Sequence, residues 1–290
     1  MSQQQAVTGM ARRGGRSAPA GGRAIEAPPL AAPAMVRVKR LLLADRTATV
    51  IVVGAIVVAL QIASIFAPAY IAPPPTLIVA RMWTSLTVDP IQIAVTLARL
   101  AAALAFALVV GTVIGIAIGT IAWIRPYLRA LVVIDTGISA LSWMLLAAFW
   151  FKNPELRIFF IMAVLLIPFY ALSVYDGIRA IPKDWVEMCE SFRPSRMQVL
   201  HYLILPHIAA YVLGTTKTVV GYATRMVIFA ELIGSAVGIG AQMGLAQANF
   251  DIAAVIGWTV LLVALNLFLQ WAINRVEGYV LRWRPPVEVR

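Results

Sequence analysis

The sequence is poor in charged residues, in cysteine and in nucleotide-binding motifs. Only 13% of its 290 residues are charged, against about 25% in a typical soluble domain, so too few charges remain to cover a water-exposed surface. The single cysteine, Cys189, excludes an internal disulfide framework and any multi-cysteine metal site within the chain. No segment reads G-x-x-x-x-G-K-[ST], so the chain lacks the loop that cradles ATP phosphates.

Hydrophobic residues, in contrast, make up 61% of the chain and are grouped in long blocks. A helix needs about 20 apolar residues to cross the hydrocarbon core. In lipid the backbone must satisfy its own hydrogen bonds, so such blocks predict helices and not open strands. The sequence therefore predicts an all-α, polytopic membrane protein with six transmembrane helices, at about 47–72, 91–123, 127–151, 156–175, 208–233 and 252–274.

The basic residues orient these helices. The net charge of +11 is spread over the ends of the blocks, which disfavours nucleic acid as a partner. Eighteen of the 24 Lys and Arg residues fall in the two tails and in the connections after the second and fourth blocks, and three fall in the opposite loops. By the positive-inside rule both termini are cytoplasmic. We predict a disordered basic cytoplasmic tail (1–46), a transmembrane domain (47–276) and a cytoplasmic C-terminal tail (277–290).

The longest cytoplasmic connection, residues 176–207, predicts a helix–turn–helix. Pro182 suits the first turn of a helix. Arg193 precedes Pro194, and a residue before proline avoids the helical region, so we expect the first helix to break there. A second amphipathic stretch follows, and we expect Pro206 to end it. The first helix has one apolar face, with the spacing i, i+3, i+4 and i+7: Trp185, Met188, Cys189 and Phe192.

This connection resembles the EAA loop of ABC importer permeases, whose pattern is E-A-A, three residues, G, nine residues and I-x-L-P. Glu187-Met188-Cys189 stands at the E-A-A, and Leu203-Ile204-Leu205-Pro206 stands at the end, at the family's spacing. Arg193 occupies the glycine position. Glycine can adopt positive φ, whereas a residue before proline prefers extended, negative φ. We therefore expect a turn of different geometry, which would suit a heteromeric permease pair.

Residues 70–284 are similar to the nitrate/sulfonate/taurine-type branch of these permeases. The segments that match are 72–76, 150–151, 176–179, 181–182, 230–234 and 238–240. The third block departs from the branch, because it contains none of the prolines that usually precede the Trp-Phe pair at 150–151. A proline-free helix keeps its hydrogen bonds, so we expect the third span to be straight.

The resemblance implies a type I importer permease subunit in the bacterial inner membrane. It implies four partners: a cytoplasmic ABC ATPase dimer that binds ATP and Mg, a periplasmic or lipid-anchored solute-binding protein, a second permease (a second copy or a paired chain), and membrane lipid. No catalytic residue, metal or cofactor is expected in this chain. The residues implied in ATPase coupling are Trp185, Glu187, Met188, Cys189, Arg193, Pro194, Leu205 and Pro206.

Ionisable residues inside the apolar blocks are costly in lipid and usually face the bundle interior or water. Lys217 and Arg225 lie eight residues apart and share roughly one helical face, and Asp135 is a possible partner for either. Two interpretations stay open: a pathway for a small polar or anionic organic solute, and structural ion pairs or snorkelling to the headgroups. The pathway candidates are Asp135, Ser139, Ser142, Trp143, Lys217, Arg225 and Glu231.

Two further interpretations concern packing and function. Gly111, Gly115 and Gly119 form overlapping G-x-x-x-G repeats, which let helices approach closely, and packing within the chain is favoured over a dimer seam. The alternative functions are a secondary transporter and a polytopic membrane enzyme. The first is disfavoured because the halves show no obvious symmetry, and the second because neither histidine lies well inside a span and no G-x-S-x-G occurs.

Overall fold

The computed structural model describes residues 34–66, 68 and 71–282, and every regular element in these ranges is a helix. The described residues divide into two compact units, one up to Ala55 and one from Ile56 onward, and the packing given below is that of the second. The elements are α1 (Ala34–Phe66), α2 (Pro75–Val88), α3 (Pro90–Thr120), α4 (Arg125–Gly137), α5 (Ala140–Trp150), α6 (Pro154–Arg179), α7 (Lys183–Ser191), α8 (Arg196–Val199), a π-helical turn (Leu200–Ile204), α9 (Leu205–Gly234), α10 (Ile239–Ala248) and α11 (Ile252–Val280).

The helix α1 begins earlier than predicted. It is helical from Ala34, so the predicted disordered tail is wrong for residues 34–46. The reason is that Leu, Ala, Arg and Lys, which dominate this stretch, are good helix formers. Residues 1–33 of the predicted tail lie outside the described residues. At the other end, α11 continues to Val280, past the predicted boundary at 276.

The central helix of the second unit is α6. In its most apolar stretch 61% of the residues are buried, whereas the corresponding share is 28% or less in the other three long apolar helices. It packs along α3 and along α9, and α4 and α5 also contact it. Elsewhere α2 and α10 pack on α11, and α10 packs on α9.

Glycines on α3 allow its close approach to α6. A Cβ atom added at Gly111 would lie 2.6 Å from Cβ of Tyr170, and one at Gly115 would lie 2.6 Å from the carbonyl oxygen of Ala171. Real Cβ atoms do not approach other atoms this closely. The prediction that the G-x-x-x-G repeats pack within the chain is therefore confirmed.

Four helical runs among the described residues are long and apolar enough to cross a membrane: α3, α6, α9 together with α8 and the π-helical turn before it, and α11. A fifth candidate is the bent pair α4 and α5. The predicted first span corresponds to a shorter apolar stretch of α1, Val50–Phe66. The all-α, polytopic fold is thus established, and the count of six spans stays a prediction.

The third span is broken, and the prediction of a straight helix is wrong. The axes of α4 and α5 differ by 97°. Between them Ile138 and Ser139 are extended, with ψ angles of 132° and 137°. No proline is present, but the break follows Gly137. Thr136, Gly137, Ile138 and Ser139 are all weak helix formers, and they stand at successive positions.

Candidate coupling and transport sites

The predicted coupling segment begins with the amphipathic helix α7. The Trp185 ring packs edge-on against the ring of His207, with 6.1 Å between the centroids, and His207 in turn packs against Tyr211. These contacts hold α7 against the beginning of α9. In contrast, the side chains of Met188 and Phe192 are 59% and 82% exposed. Much of the predicted apolar face is therefore left uncovered by the described part of the chain.

The turn after α7 differs from the expected geometry at Arg193. Its φ angle is +47°, so Arg193 adopts the left-handed conformation that glycine favours, and the prediction of extended, negative φ is wrong. The reason is that α7 closes with a hydrogen bond from Phe192 N–H to Cys189 O at 3.1 Å and is followed by one left-handed residue, a common way for a helix to end. This end geometry outweighs the extended preference of a residue before proline. The argument for a heteromeric permease pair, which required a different turn, loses its basis.

The second helix of the segment does not end at Pro206. The prediction is wrong because Leu200–Ile204 form a π-helical turn in which Leu205 N–H bonds to Leu200 O. A proline has no N–H to donate, and the wider turn carries the chain past Pro206. Residues 196–234 therefore run continuously into the membrane-spanning part of α9.

The beginning of that run is fixed by a capping box. Ser195 Oγ accepts a hydrogen bond from Gln198 N–H at 3.3 Å, and Gln198 Oε1 accepts one from Ser195 N–H at 2.7 Å. Such a pair satisfies two helix N-terminal donors reciprocally. Leu205 and Pro206 themselves are exposed. The segment thus consists of α7, a left-handed residue and a capped helix.

Two of the pathway candidates on α9, Lys217 and Arg225, face α11. Lys217 forms an ion pair with Glu277 of α11, so the predicted pairing of Asp135 with Lys217 or Arg225 is wrong: among the described residues neither basic residue pairs with it. Asp135 lies on α4, which packs on α6 and α3. Arg225 lines a cavity between α9, α10 and α11.

The third-span candidates lie around the break between α4 and α5. Asp135 and Trp143 line an apolar cavity of about 410 Å³, together with Trp150 and Phe160. The Trp143 indole N–H is buried and has no hydrogen-bond partner among the described residues. Ser139 and Ser142 are exposed. The structure brings Asp135 and Trp143 together and separates them from Lys217 and Arg225.

Glu231 lies at the centre of a buried polar network that the sequence did not predict. Its carboxylate is fully buried and accepts hydrogen bonds from Thr96 Oγ1 at 2.9 Å, Arg99 Nη1 at 2.8 Å and the Gly240 N–H at 2.9 Å. Arg99 also pairs with Glu155 at the beginning of α6. The network joins α3, α6, α9 and α10, and a pathway role for Glu231 stays a prediction beside this architectural one.

Position 238, next to Glu231, requires glycine for steric reasons. Gly238 has φ of +120°, and a Cβ atom there would collide with the Glu231 carboxylate. The sequence placed Glu231 among the pathway candidates but did not predict its pairing with Arg99, which also lies inside an apolar block. The available signal was the two opposite charges inside apolar blocks, which must find partners.

The fold and these sites define the membrane-embedded subunit of a transport complex. Residues 107–280 match the family model of the binding-protein-dependent transport system inner membrane component, and the chain belongs to this family. It is therefore a permease subunit of an ABC importer and a multi-pass inner-membrane protein, as the resemblance implied.

Relatives agree with this assignment. The riboflavin transport system permease protein RibX of Chloroflexus aurantiacus is 28% identical over 74% of this chain and 81% of its own length. The taurine transport system permease protein TauC of Escherichia coli is 22% identical over 75% of this chain and 77% of its own length. A solved structure of the MetNI methionine ABC transporter, with inward-facing conformations, shares the fold at a TM-score of 0.55 and 20% identity, over 64% of this chain and 92% of that one.

Proposed function

We propose that this permease moves a small polar or anionic organic solute into the cytoplasm by alternating access, driven by a partner ABC ATPase dimer that binds ATP and Mg. A periplasmic or lipid-anchored binding protein delivers the solute, and a second permease completes the pathway. The names of two relatives refer to riboflavin and taurine, which supports an organic solute. Both termini lie in the cytoplasm.

The observation that carries this proposal is the exposed face of α7, which we call the coupling face: the side chains of Glu187, Met188 and Phe192. All three are exposed, and an apolar surface of this kind marks a protein interaction site. Glu187 adds a charge that can steer a partner. The Trp185 ring of α7 packs on His207 at the beginning of α9, and residues 196–234 run on without interruption, so a partner that moves this face also moves a membrane-spanning helix.

The proposal is tested by purifying the complex from its own membrane and identifying the accompanying chains and any bound small molecule by mass spectrometry. We expect an ATPase and a solute-binding protein. Their absence from a complex that retains the permease would contradict the proposal, whereas another membrane protein alone would favour a different assembly.

The orientation is tested by cysteine labelling in a Cys189→Ala background. Lys152 lies in the connection between α5 and α6, and Gly278 lies near the end of α11, and both are exposed. A cysteine at Lys152 should react from the periplasmic side only, and one at Gly278 from the cytoplasmic side only. Reaction of both from the same side would overturn the orientation.

A further inference from the structure

Arg225 is an unneutralised charge within α9. Its only hydrogen bond among the described residues runs from Nε to Gly221 O at 3.1 Å, so both Nη groups remain available. No ion pair includes Arg225 in the described part of the chain, because the nearby acidic residues already have partners. The three acidic residues of 205–282 are paired as Glu231 with Arg99, Asp251 with Arg81, and Glu277 with Lys217.

The position of Arg225 in its helix makes this charge expensive. It lies nine residues before the end of α9 at Gly234, about two and a half turns, and its side chain is exposed. A guanidinium in contact with lipid hydrocarbon is strongly disfavoured, and such residues face a bundle interior or a water-filled cavity. An exposed, unpaired Arg225 therefore requires water or a ligand next to it.

A cavity of about 540 Å³ adjoins Arg225 and meets that requirement. It is lined by Thr224, Thr259 and Asn266 beside apolar residues, and Asn266 is the midpoint of α11. Asn266 Oδ1 accepts a hydrogen bond from Gln270 at 3.5 Å, which leaves the Asn266 amide as a donor. Donor groups of Arg225 and Asn266 thus line one cavity of a size typical for small-molecule sites.

We propose that this cavity, between α9, α10 and α11, is a subsite for the anionic group of the transported solute, a carboxylate or a sulfonate. The guanidinium fork matches such groups in a bidentate arrangement. Lys217 is not part of the subsite, since Glu277 neutralises it. The inference rests on the proposed function for the direction of transport, but the electrostatics of the cavity are independent of it.

The test measures the charge preference of the cavity with thiol reagents, in membranes that contain the assembled complex. In a Cys189→Ala background, Val263, which lines the cavity, is replaced by cysteine. It is treated with the anionic sulfonatoethyl and the cationic trimethylammonium-ethyl methanethiosulfonate, with each rate divided by that for a free thiol. A matched control replaces Val109, which is exposed on α3, outside the cavity.

We expect Val263→Cys to react about tenfold faster with the anionic reagent, as a nearby unscreened charge would cause. Arg225→Gln should abolish the preference, Arg225→Lys should retain it, and Val109→Cys should react with neither reagent. An unreactive Val263→Cys, or a preference unchanged by Arg225→Gln, would overturn the subsite. Because labelling requires neither ATP hydrolysis nor transport, either result would leave the coupling proposal standing.

Discussion

Arg99 on α3 and Glu231 on α9 form an ion pair across 132 positions of sequence, with 2.8 Å between Nη1 and Oε1. The glutamate is fully buried, and the arginine side chain is 8% exposed. Removal of one partner of such a pair is strongly destabilising, since it leaves polar and charged groups without compensation. The pair thus links α3 and α9, the two helices that pack along α6, and should contribute to the stability of this packing.

The first prediction concerns this pair. Glu231→Ala should lower the free energy of unfolding by about 3–5 kcal/mol, measured as loss of thermal stability of the purified protein in detergent. Arg81→Gln is the control, because Arg81 pairs with Asp251 at a half-exposed position, where an ion pair contributes about 1 kcal/mol or less. Equal effects of the two substitutions would contradict the architectural role of Glu231.

The second prediction concerns the contact between α3 and α6. Gly115→Ala should destabilise the protein, because its Cβ atom would overlap the backbone of Ala171 and the side chain of Val174. Gly214→Ala on α9 places its Cβ atom in open space and should stabilise that helix by up to about 1 kcal/mol. The two changes in melting temperature should have opposite signs. A shift of the same sign in both would show that Gly115 is not a packing contact.

Gly115 illustrates what the sequence could predict, and Arg99 illustrates what it could not. Regular spacing in one segment was enough to predict the apolar helices, α7 and the glycine repeat, since those patterns are local. The pair of Arg99 with Glu231 was missed because it depends on which helices become neighbours. The break at Ile138–Ser139 and the passage through Pro206 were missed because proline was taken as the main helix breaker, whereas weak helix formers and a π-helical turn decided the outcome.

The third prediction concerns Arg193. A non-glycine residue in the left-handed region costs about 1 kcal/mol or more, so Arg193→Gly should relieve this strain and slow hydrogen exchange in residues 189–196. Arg193→Val should speed exchange, because β-branched residues tolerate this conformation poorly. Arg196→Gly, at a helical position, is the control and should not slow exchange. Faster exchange in Arg193→Gly would mean that the arginine side chain itself holds the turn.

The central claim is that the coupling face docks the ATPase, and Glu187→Lys tests it most directly. The substitution lies on an exposed helix, so membrane insertion should be intact, while loss of a charge-assisted contact of about 1.5–3 kcal/mol weakens docking tenfold or more. Co-purification of the ATPase and substrate-stimulated hydrolysis are measured together, with Asp89→Lys between α2 and α3 as the control. We predict that both fall for Glu187→Lys and persist for the control; survival of both in Glu187→Lys and after deletion of residues 184–196 would contradict the claim.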